Sequence, residues 1–349
     1  MNKMRKCCPC CFGDTHLSSV IQVIAPELGE CSFCHSNNSP LIEPVLLREY
    51  FELLSGIYTR SEQGLTLGEW LKNDWKMFSS LDLANTKDLL SEIFEDGNFP
   101  RQTFEPSSKC FSKNLDNWEN LRKELMEENR FFPKETINLE RISYLLTQLI
   151  FKDALPEKWY RARIQESIEP YPLDKMGPPP KDKATHGRAN PVGIPYLYVA
   201  SEILTSISEV RPHTGEFVTV AEFTIIEQVR LADLRNPRLS ITPFICADDE
   251  EIAALRGDID FLERLGEELT RPVLPKSAAI DYIPSQYLCE LIKNNGFDGV
   301  IYRSSLGNEI NLALFYPSKA AAIQLIPHRV DRVSVDAKPY IAPPVGGPE

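Results

Sequence analysis

The segment THGRANPVGIPYLY, residues 185–198, carries a single arginine, Arg188, in a loop rich in glycine and proline. Gly187 and Gly193 allow backbone torsions that other residues avoid, and the two prolines fix φ and lack an amide donor. The loop is therefore expected to be stiff, and a guanidinium held in a stiff loop suits an anionic ligand. The alternative is a plain connection, which is the usual role of loops with this composition.

Four further polar side chains can line one concave site together with the loop arginine. Arg161 lies in WYRAR, and Glu209 lies near the end of a helix in SISEVRP, off the apolar stripe of that helix. Ser304 ends one strand-like run and Asn311 begins the next. Each also fits an ordinary role, because Glu209 can be a solvated helix end paired with Arg211 and short polar side chains often cap strands.

A second chemical pattern lies at the start of the chain, where six of the nine cysteines fall within the first 34 residues. Two C-x2-C pairs separated by 19 residues match the spacing of a tetrahedral zinc site. The predicted ligands are Cys8, Cys11, Cys31 and Cys34. Four thiolates leave no open coordination position, so the zinc is expected to be structural.

The register of the first pair is open, because Cys7 and Cys10 have the same internal spacing. Cys8 and Cys11 are favoured because each pair then has a phenylalanine next to it, with Phe12 directly after the first pair and Phe33 inside the second. His16 and His35 are not favoured as ligands. The three later cysteines are expected to be small buried apolar residues.

Apolar residues recur every three or four positions from Pro40 to about Phe151, which predicts an all-α bundle of about five helices. Asn85 and Asn138 are the predicted N-caps. Strand-like runs then alternate with helices, which predicts a mixed α+β domain. The runs are YLYVA, EFVTVAEFTI, FDGVIYRSS, INLALFYP and AAAIQLI, and the helices cover 201–210, 248–269 and SQYLCELIKNNG.

The predicted organisation has four parts, namely a zinc knuckle over 1–39, a helical domain over 40–152, an α+β domain over 153–335 and a disordered tail over 336–349. The net charge of −12 argues against a broad nucleic-acid or acidic-membrane surface. No apolar window is long enough to span a bilayer, and the start has no apolar signal core. We therefore expect a cytoplasmic protein.

Seven motifs in order closely resemble the RES domain, named for its Arg, Glu and Ser. They run from about residue 157 to 327 and are YRAR, MGPPP, GRANPVGIPYLYVAS, SISEVRP, DYIPSQYL, GFDGVIYRSS and NLALF. The resemblance implies a fold similar to diphtheria-toxin-type ADP-ribosyltransferases. It also implies a toxin or defence effector that destroys NAD by phosphorolysis or hydrolysis, with inorganic phosphate as the co-substrate of phosphorolysis.

The resemblance assigns roles to particular residues. The implied catalytic residues are Arg161, Glu209 and Ser304, and the implied NAD-binding residues are these three with Arg188, Tyr198 and Asn311. Tyr196 is the neighbour with which Tyr198 can be confused. The arginines would bind phosphate groups, and Glu209 would hold ribose hydroxyls and stabilise positive charge on the ribose. Whether Arg188 contacts the ligand or only braces its loop stays open.

The N-terminal part resembles, more loosely, the zinc-knuckle and HEPN-like helical extension found on some RES proteins. Nuclease HEPN domains typically carry an R-x4-H motif, whereas residues 40–151 contain no histidine. An interaction or sensing role is therefore expected, which leaves regulation, dimerisation and recognition of a trigger open. The resemblance also implies an antitoxin or other regulatory partner. The alternative functions are an ADP-ribosyltransferase that modifies a macromolecule, an RNA-directed HEPN module and a non-enzymatic binding protein.

Overall fold

The computed structural model describes residues 5–274, 276–304 and 309–334, and its α+β architecture confirms the predicted fold class. The predicted disordered tail lies outside the described residues. Within the described part of the chain, none of the helices has the length and apolar character needed to cross a membrane.

The N-terminal part, through residue 148, consists of short and medium helices with four short strands. In chain order they are α1 (Pro9–Phe12), α2 (Thr15–Ile24), β1 (Glu27–Gly29), β2 (Ser39–Leu41), α3 (Arg48–Ser55), β3 (Tyr58–Thr66), α4 (Leu67–Trp75), α5 (Leu83–Phe94), β4 (Thr103–Pro106), α6 (Asn114–Glu127) and α7 (Leu139–Gln148). Five of these helices, α3 to α7, lie within residues 40–151, in agreement with the predicted number.

The prediction that this region is all-α is wrong, because β3 and β4 form a two-stranded antiparallel sheet. The register of the pair shifts between Arg60 and Leu65. At that bulge Gly64 lies so close to Phe104 that an added Cβ would meet the Phe104 carbonyl oxygen at 1.9 Å. A residue with a side chain would clash at this position, so Gly64 is the residue that permits the bulge.

Polar side chains fix where the helices of this region begin. Asn138 accepts a hydrogen bond from the Arg141 amide at 2.9 Å, which confirms it as the N-cap of α7. The prediction of Asn85 as an N-cap is wrong. Asp82 caps α5 by accepting from the Asn85 amide at 2.7 Å, so the helix begins three residues before the predicted position.

The second part of the chain contains one large sheet with helices beside it. In chain order its elements are β5 (Trp159–Ile164), β6 (Leu197–Ala200), α8 (Ile203–Glu209), β7 (Phe217–Ile225), β8 (Leu231–Asp233), α9 (Pro237–Ser240), α10 (Asp249–Gly257), α11 (Ile259–Glu268), α12 (Ala278–Asp281), α13 (Ile283–Asn294), β9 (Gly299–Arg303), β10 (Ile310–Leu314) and β11 (Ala320–Arg329).

The sheet has the strand order β11-β7-β5-β6-β10-β9-β8. Neighbouring strands are antiparallel except β8 and β9, which are parallel. Strands β5, β6, β10 and β9 are therefore adjacent at the centre of the sheet, although they come from distant parts of the sequence. This order brings the motifs around residues 161, 198, 304 and 311 to one region.

The hydrophobic core crosses the predicted boundary at residue 152. One continuous cluster joins buried side chains of the N-terminal helices to one face of the sheet, including Trp118, Phe261 and Tyr302. A second cluster, around Trp159 and Leu312, covers the opposite face. The division into separate domains stays a prediction, but the described side chains pack across it.

Asp258, between α10 and α11, ties the two parts of the chain together by polar contacts. Its carboxylate accepts from Ser112 Oγ and Asn114 Nδ2, both at 2.6 Å, and pairs with Arg141 Nε at 2.7 Å. The side chain of Asp258 is only 2% exposed. A buried carboxylate of this kind stabilises the structure only while all its partners are present.

We predict that Asp258→Ala lowers the free energy of unfolding by about 3 kcal/mol, since it leaves the Arg141 guanidinium partly buried without its carboxylate. Chemical denaturation followed by circular dichroism measures the loss. Glu250→Ala is the control, because Glu250 pairs with Lys109 across the same two parts of the chain but on the surface. Equal shifts of the unfolding midpoint in Asp258→Ala and Glu250→Ala would contradict this role of Asp258.

Candidate functional site

A cavity of about 510 Å³ opens over the centre of the sheet, between α8 on one side and the 185–198 loop on the other. Its volume lies in the range of roughly 300–1,000 Å³ that is typical of small-ligand pockets. Five of the six residues that the sequence assigned to substrate binding line it: Arg161, Arg188, Tyr198, Glu209 and Asn311. The sixth, Ser304, contacts the Glu209 carboxylate.

The register of the sheet explains how Tyr198, Ser304 and Asn311 share one face. Asn311 pairs with both Ala200 and Tyr302, and Ala200 pairs with Tyr160, so these four residues form one row across the sheet. Side chains alternate along a strand, so Ser304, two residues after Tyr302, lies on the same face. The sheet thus presents a serine and an asparagine beneath α8.

Glu209, the last residue of α8, receives two hydrogen bonds from this row. Ser304 Oγ donates to Glu209 Oε1 at 3.0 Å, and Asn311 Nδ2 donates to the same oxygen at 2.7 Å. Both donors are buried, whereas Glu209 is exposed in the cavity. The described residues include no ion pair between Glu209 and Arg211, so the carboxylate is oriented by the sheet.

Arg161 extends from β5 towards β6, where its Nη1 donates to the Tyr198 carbonyl at 3.1 Å. Its Nε is buried without a hydrogen-bond partner among the described residues. Burial, with the nearby Arg163 charge, lowers the pKa of Arg161 to about 10. The guanidinium is therefore still charged at neutral pH, and it is poorly solvated, which favours binding of an anion.

Arg188 forms the opposite wall. Its Nη1 donates to the Arg271 carbonyl at 2.8 Å, and its guanidinium lies over the Tyr282 ring at 5.4 Å. Neither Arg161 nor Arg188 makes an ion pair with a carboxylate within the described residues. One cavity thus contains two arginines whose charge no described carboxylate neutralises.

The 185–198 loop is held by internal bonds and by α13. The Tyr198 hydroxyl donates to Asn190 Oδ1 at 2.8 Å and accepts from the Ala189 amide at 2.9 Å. A Cβ at Gly187 would meet Asn190 Oδ1 at 2.1 Å, so only glycine fits there. Ser285 Oγ donates to the Arg188 carbonyl at 2.6 Å. The loop is stiff, as its composition predicts.

The geometry separates Tyr198 from Tyr196. Tyr198 lines the cavity, whereas Tyr196 is 2% exposed and packs against Phe315 with a centroid separation of 4.9 Å. Since the Tyr198 hydroxyl is bound to the loop, its ring shapes the cavity wall. Burial raises the pKa of Tyr198 well above its usual value, so the hydroxyl remains protonated.

Several residues that line the cavity were not assigned to substrate binding from the sequence, among them His186, Arg211, Tyr282 and Tyr302. Tyr302 was recoverable, because it precedes Ser304 by two residues and alternation puts both on one face. Its burial, together with the Glu209 charge, raises its pKa. Arg211 follows Glu209 with φ of 51°, in the left-handed region that few arginines adopt. Tyr282 lies within DYIPSQYL, but only the fold brings it beneath Arg188.

The cysteine cluster lies away from this cavity, in the first 34 residues. The Sγ atoms of Cys8, Cys11, Cys31 and Cys34 all lie within 4.8 Å of one another. Cys8 is 3.4 Å from Cys34, and Cys11 is 3.3 Å from Cys31. Cys7 lies outside the cluster, where its backbone pairs with Ile42, so the favoured register is the one the structure has.

The four sulfur atoms fit a tetrahedral ion. With Zn–S bonds of about 2.3 Å, tetrahedral geometry separates the sulfurs by roughly 3.8 Å, close to the spacing of this cluster. His35 lies outside it, 3.7 Å from Glu30. The cluster joins the first helix to the segment after β1, so a bound zinc would stabilise this part of the chain.

The chain thus combines an α+β fold with an arginine-lined cavity over a mainly antiparallel sheet. Residues 158–336, more than half of the chain, match the family described as the RES domain. The chain therefore belongs to the RES domain family.

The crystal structure of the M. tuberculosis MbcT–MbcA toxin–antitoxin complex is similar with a TM-score of 0.33 and 13% identity. The match covers 55% of this chain and 94% of that one. No curated protein sequence matched this chain.

We predict about one zinc per chain, bound by the four clustered cysteines, because these thiols alone have the required mutual distances. Metal analysis of the purified protein measures the content. The double variant Cys31→Ser with Cys34→Ser should lose the metal, while Cys10→Ser, at an exposed cysteine outside the cluster, should keep it. Full zinc in the double variant would exclude this site.

Proposed function

We propose that this chain is a RES-type enzyme that degrades NAD by cleaving the nicotinamide glycosidic bond, with phosphate or water as the acceptor. The observation that carries the proposal is a carboxylate, Glu209, oriented by Ser304 and Asn311 in the same cavity as two arginines that pair with no carboxylate in the described part of the chain. NAD combines a pyrophosphate with a ribose that becomes positively charged during cleavage. The cavity offers the two arginines for the negative pyrophosphate and Glu209 for the positive ribose.

The two arginines are the proposed pyrophosphate ligands. Arg161 has a buried Nε without a partner among the described residues, and Arg188 uses one of its N–H groups on the Arg271 carbonyl. An arginine retains several donors after one such bond, and its planar fork matches phosphate oxygens. Arg188 can therefore be braced by its loop and still bind the ligand.

Glu209 is the proposed group that stabilises the transition state. Breaking the bond between C1′ of the ribose and N1 of nicotinamide sends the electron pair to nitrogen, so nicotinamide leaves as a neutral base. The ribose develops oxocarbenium character at that moment. A carboxylate already fixed by two hydrogen bonds stabilises this charge without reorganising. Within the described residues both bonds end on Oε1, which leaves Oε2 available to a ribose hydroxyl.

The acceptor completes the reaction. A phosphate oxygen bonding to C1′ gives ADP-ribose 1″-phosphate, while water gives ADP-ribose and releases a proton. Arg211 and His186 line the same cavity, where their side chains provide further donors for an anionic acceptor. The proposed biological role is that of a toxin or defence effector controlled by an antitoxin or other regulatory partner, which is what the resemblance to RES proteins implies.

We predict that Glu209→Gln lowers the rate of nicotinamide release by a factor on the order of 10² or more, since one preorganised electrostatic group is lost. Glutamine has the same size as glutamate, and its amide oxygen can accept the hydrogen bond from Asn311, but the side chain carries no negative charge. The measurement is nicotinamide release from NAD, with circular dichroism to verify folding.

Glu202→Gln is the matched control, because Glu202 is an exposed glutamate that precedes the same helix but does not line the cavity. It should retain the full rate. An unchanged rate in Glu209→Gln would remove Glu209 from the mechanism.

The acceptor is tested by mass spectrometry of the products with and without inorganic phosphate. We expect ADP-ribose 1″-phosphate when phosphate is present, because the cationic wall favours an anionic acceptor over water. Free ADP-ribose at all phosphate concentrations would establish hydrolysis instead. Transfer of the label from NAD to a macromolecule would favour the alternative ADP-ribosyltransferase activity.

A further inference from the structure

Glu268, the last residue of α11, is a carboxylate buried to 1% exposure in a cluster of positive groups. Its Oε1 lies 3.0 Å from Arg264 Nη2 and 3.3 Å from Arg122 Nε, and it accepts from Trp118 Nε1 at 3.2 Å. Its Oε2 lies 3.7 Å from Arg271 Nε. Three guanidinium groups and one indole thus surround a single carboxylate.

Two of these partners, Trp118 and Arg122, belong to α6 in the N-terminal part of the chain. Trp118 is fully buried, and Glu119 on the same helix pairs with Arg264. A buried carboxylate keeps its position only while its partners remain, because each lost partner exposes uncompensated charge to a poorly solvated interior. The position of Glu268 therefore depends on α6.

Arg271 connects this cluster to the cavity. Its side chain lies beside Glu268 and donates from Nη2 to the Asp281 carbonyl at 2.8 Å. Its own carbonyl accepts the hydrogen bond from Arg188 Nη1 at 2.8 Å. Tyr282, next to Asp281, is the ring beneath the Arg188 guanidinium. A continuous series of contacts thus runs from α6 to a guanidinium in the cavity wall.

We propose that α6 is a positioning element of the cavity, which holds Arg188 in place for anion binding through Glu268 and Arg271. The inference rests on the proposed function, because it assigns Arg188 to the substrate anion. Trp118 and Arg122 touch no cavity atom in this arrangement and act only through the two intermediate residues. The N-terminal extension is then part of the substrate site, and a partner that displaced α6 would weaken substrate binding.

The test separates binding from chemistry by steady-state kinetics with NAD. Arg122→Gln should raise KM about three- to tenfold, the usual size of coupling through contacting residues, with kcat within about twofold. Trp118→Phe should shift KM in the same direction by less, because it keeps the ring and removes only the N–H donor. This milder variant serves if Arg122→Gln does not fold.

Asp74→Asn is the matched control. Asp74 also belongs to the N-terminal part and pairs with Arg256 at 2.7 Å, but this ion pair does not lead to Arg271. It should leave KM unchanged even where it lowers the unfolding midpoint as much as Arg122→Gln does. Equal KM shifts in the two variants would reduce the role of α6 to general stability and overturn the proposal.

A double-mutant cycle tests the route itself. In an Arg188→Ala background, Arg122→Gln should have no further effect on KM, because the residue through which it acts is gone. Additive effects of the two substitutions would overturn the proposal.

Calorimetric binding of inorganic pyrophosphate distinguishes the two claims. If the unaltered protein binds pyrophosphate and Arg122→Gln weakens that binding, the coupling holds even when no NAD is cleaved, and only the proposed function fails. If NAD is cleaved but pyrophosphate binding and KM are the same in Arg122→Gln, the function holds and the coupling fails.

Discussion

The paired hydrogen bonds from Ser304 and Asn311 to Glu209 are the interaction on which the site depends. They join the end of α8 to the centre of the sheet, and they require β10 to lie between β6 and β9. A carboxylate at a helix C-terminus is not favoured by the helix dipole, so its orientation has to come from such donors. Arg161 on β5 and Arg188 on the 185–198 loop then supply the opposite charge.

One arrangement holds the 185–198 loop and makes its arginine available for the proposed anion binding. Asn190, Tyr198 and α13 fix the loop backbone, and this leaves the Arg188 side chain as the part that extends into the cavity. The Arg188 guanidinium also reaches Arg271, beyond which lie Glu268 and the helix α6. The α+β part of the chain and the N-terminal part therefore share both a core and a polar network.

Much of this could be predicted from the sequence, and the exceptions have physical causes. The strands around residues 199, 221, 301 and 312 follow from β-branched and aromatic runs, and the spacing of Cys8, Cys11, Cys31 and Cys34 agrees with their cluster. The β3–β4 pair was missed because strand pairing joins residues about 45 positions apart, which local periodicity does not report.

The role of Tyr282 and the Glu268 cluster were missed for the same reason. Both depend on which elements pack together, and the sequence indicates faces of helices and strands without their partners. Asn85 was a reasonable cap by residue type, but Asp82, three positions earlier, caps the helix by accepting from the Asn85 amide, so Asn85 lies inside the first turn.

The most direct measurement is a crystal structure of the protein with ADP-ribose bound. We expect the pyrophosphate to lie against Arg161 and Arg188. The ribose that carried nicotinamide should contact Glu209 through its hydroxyls, with the hydrogen bonds from Ser304 and Asn311 to Glu209 intact. Binding of ADP-ribose outside this cavity, or within it with Glu209 turned away from the ribose, would contradict the account.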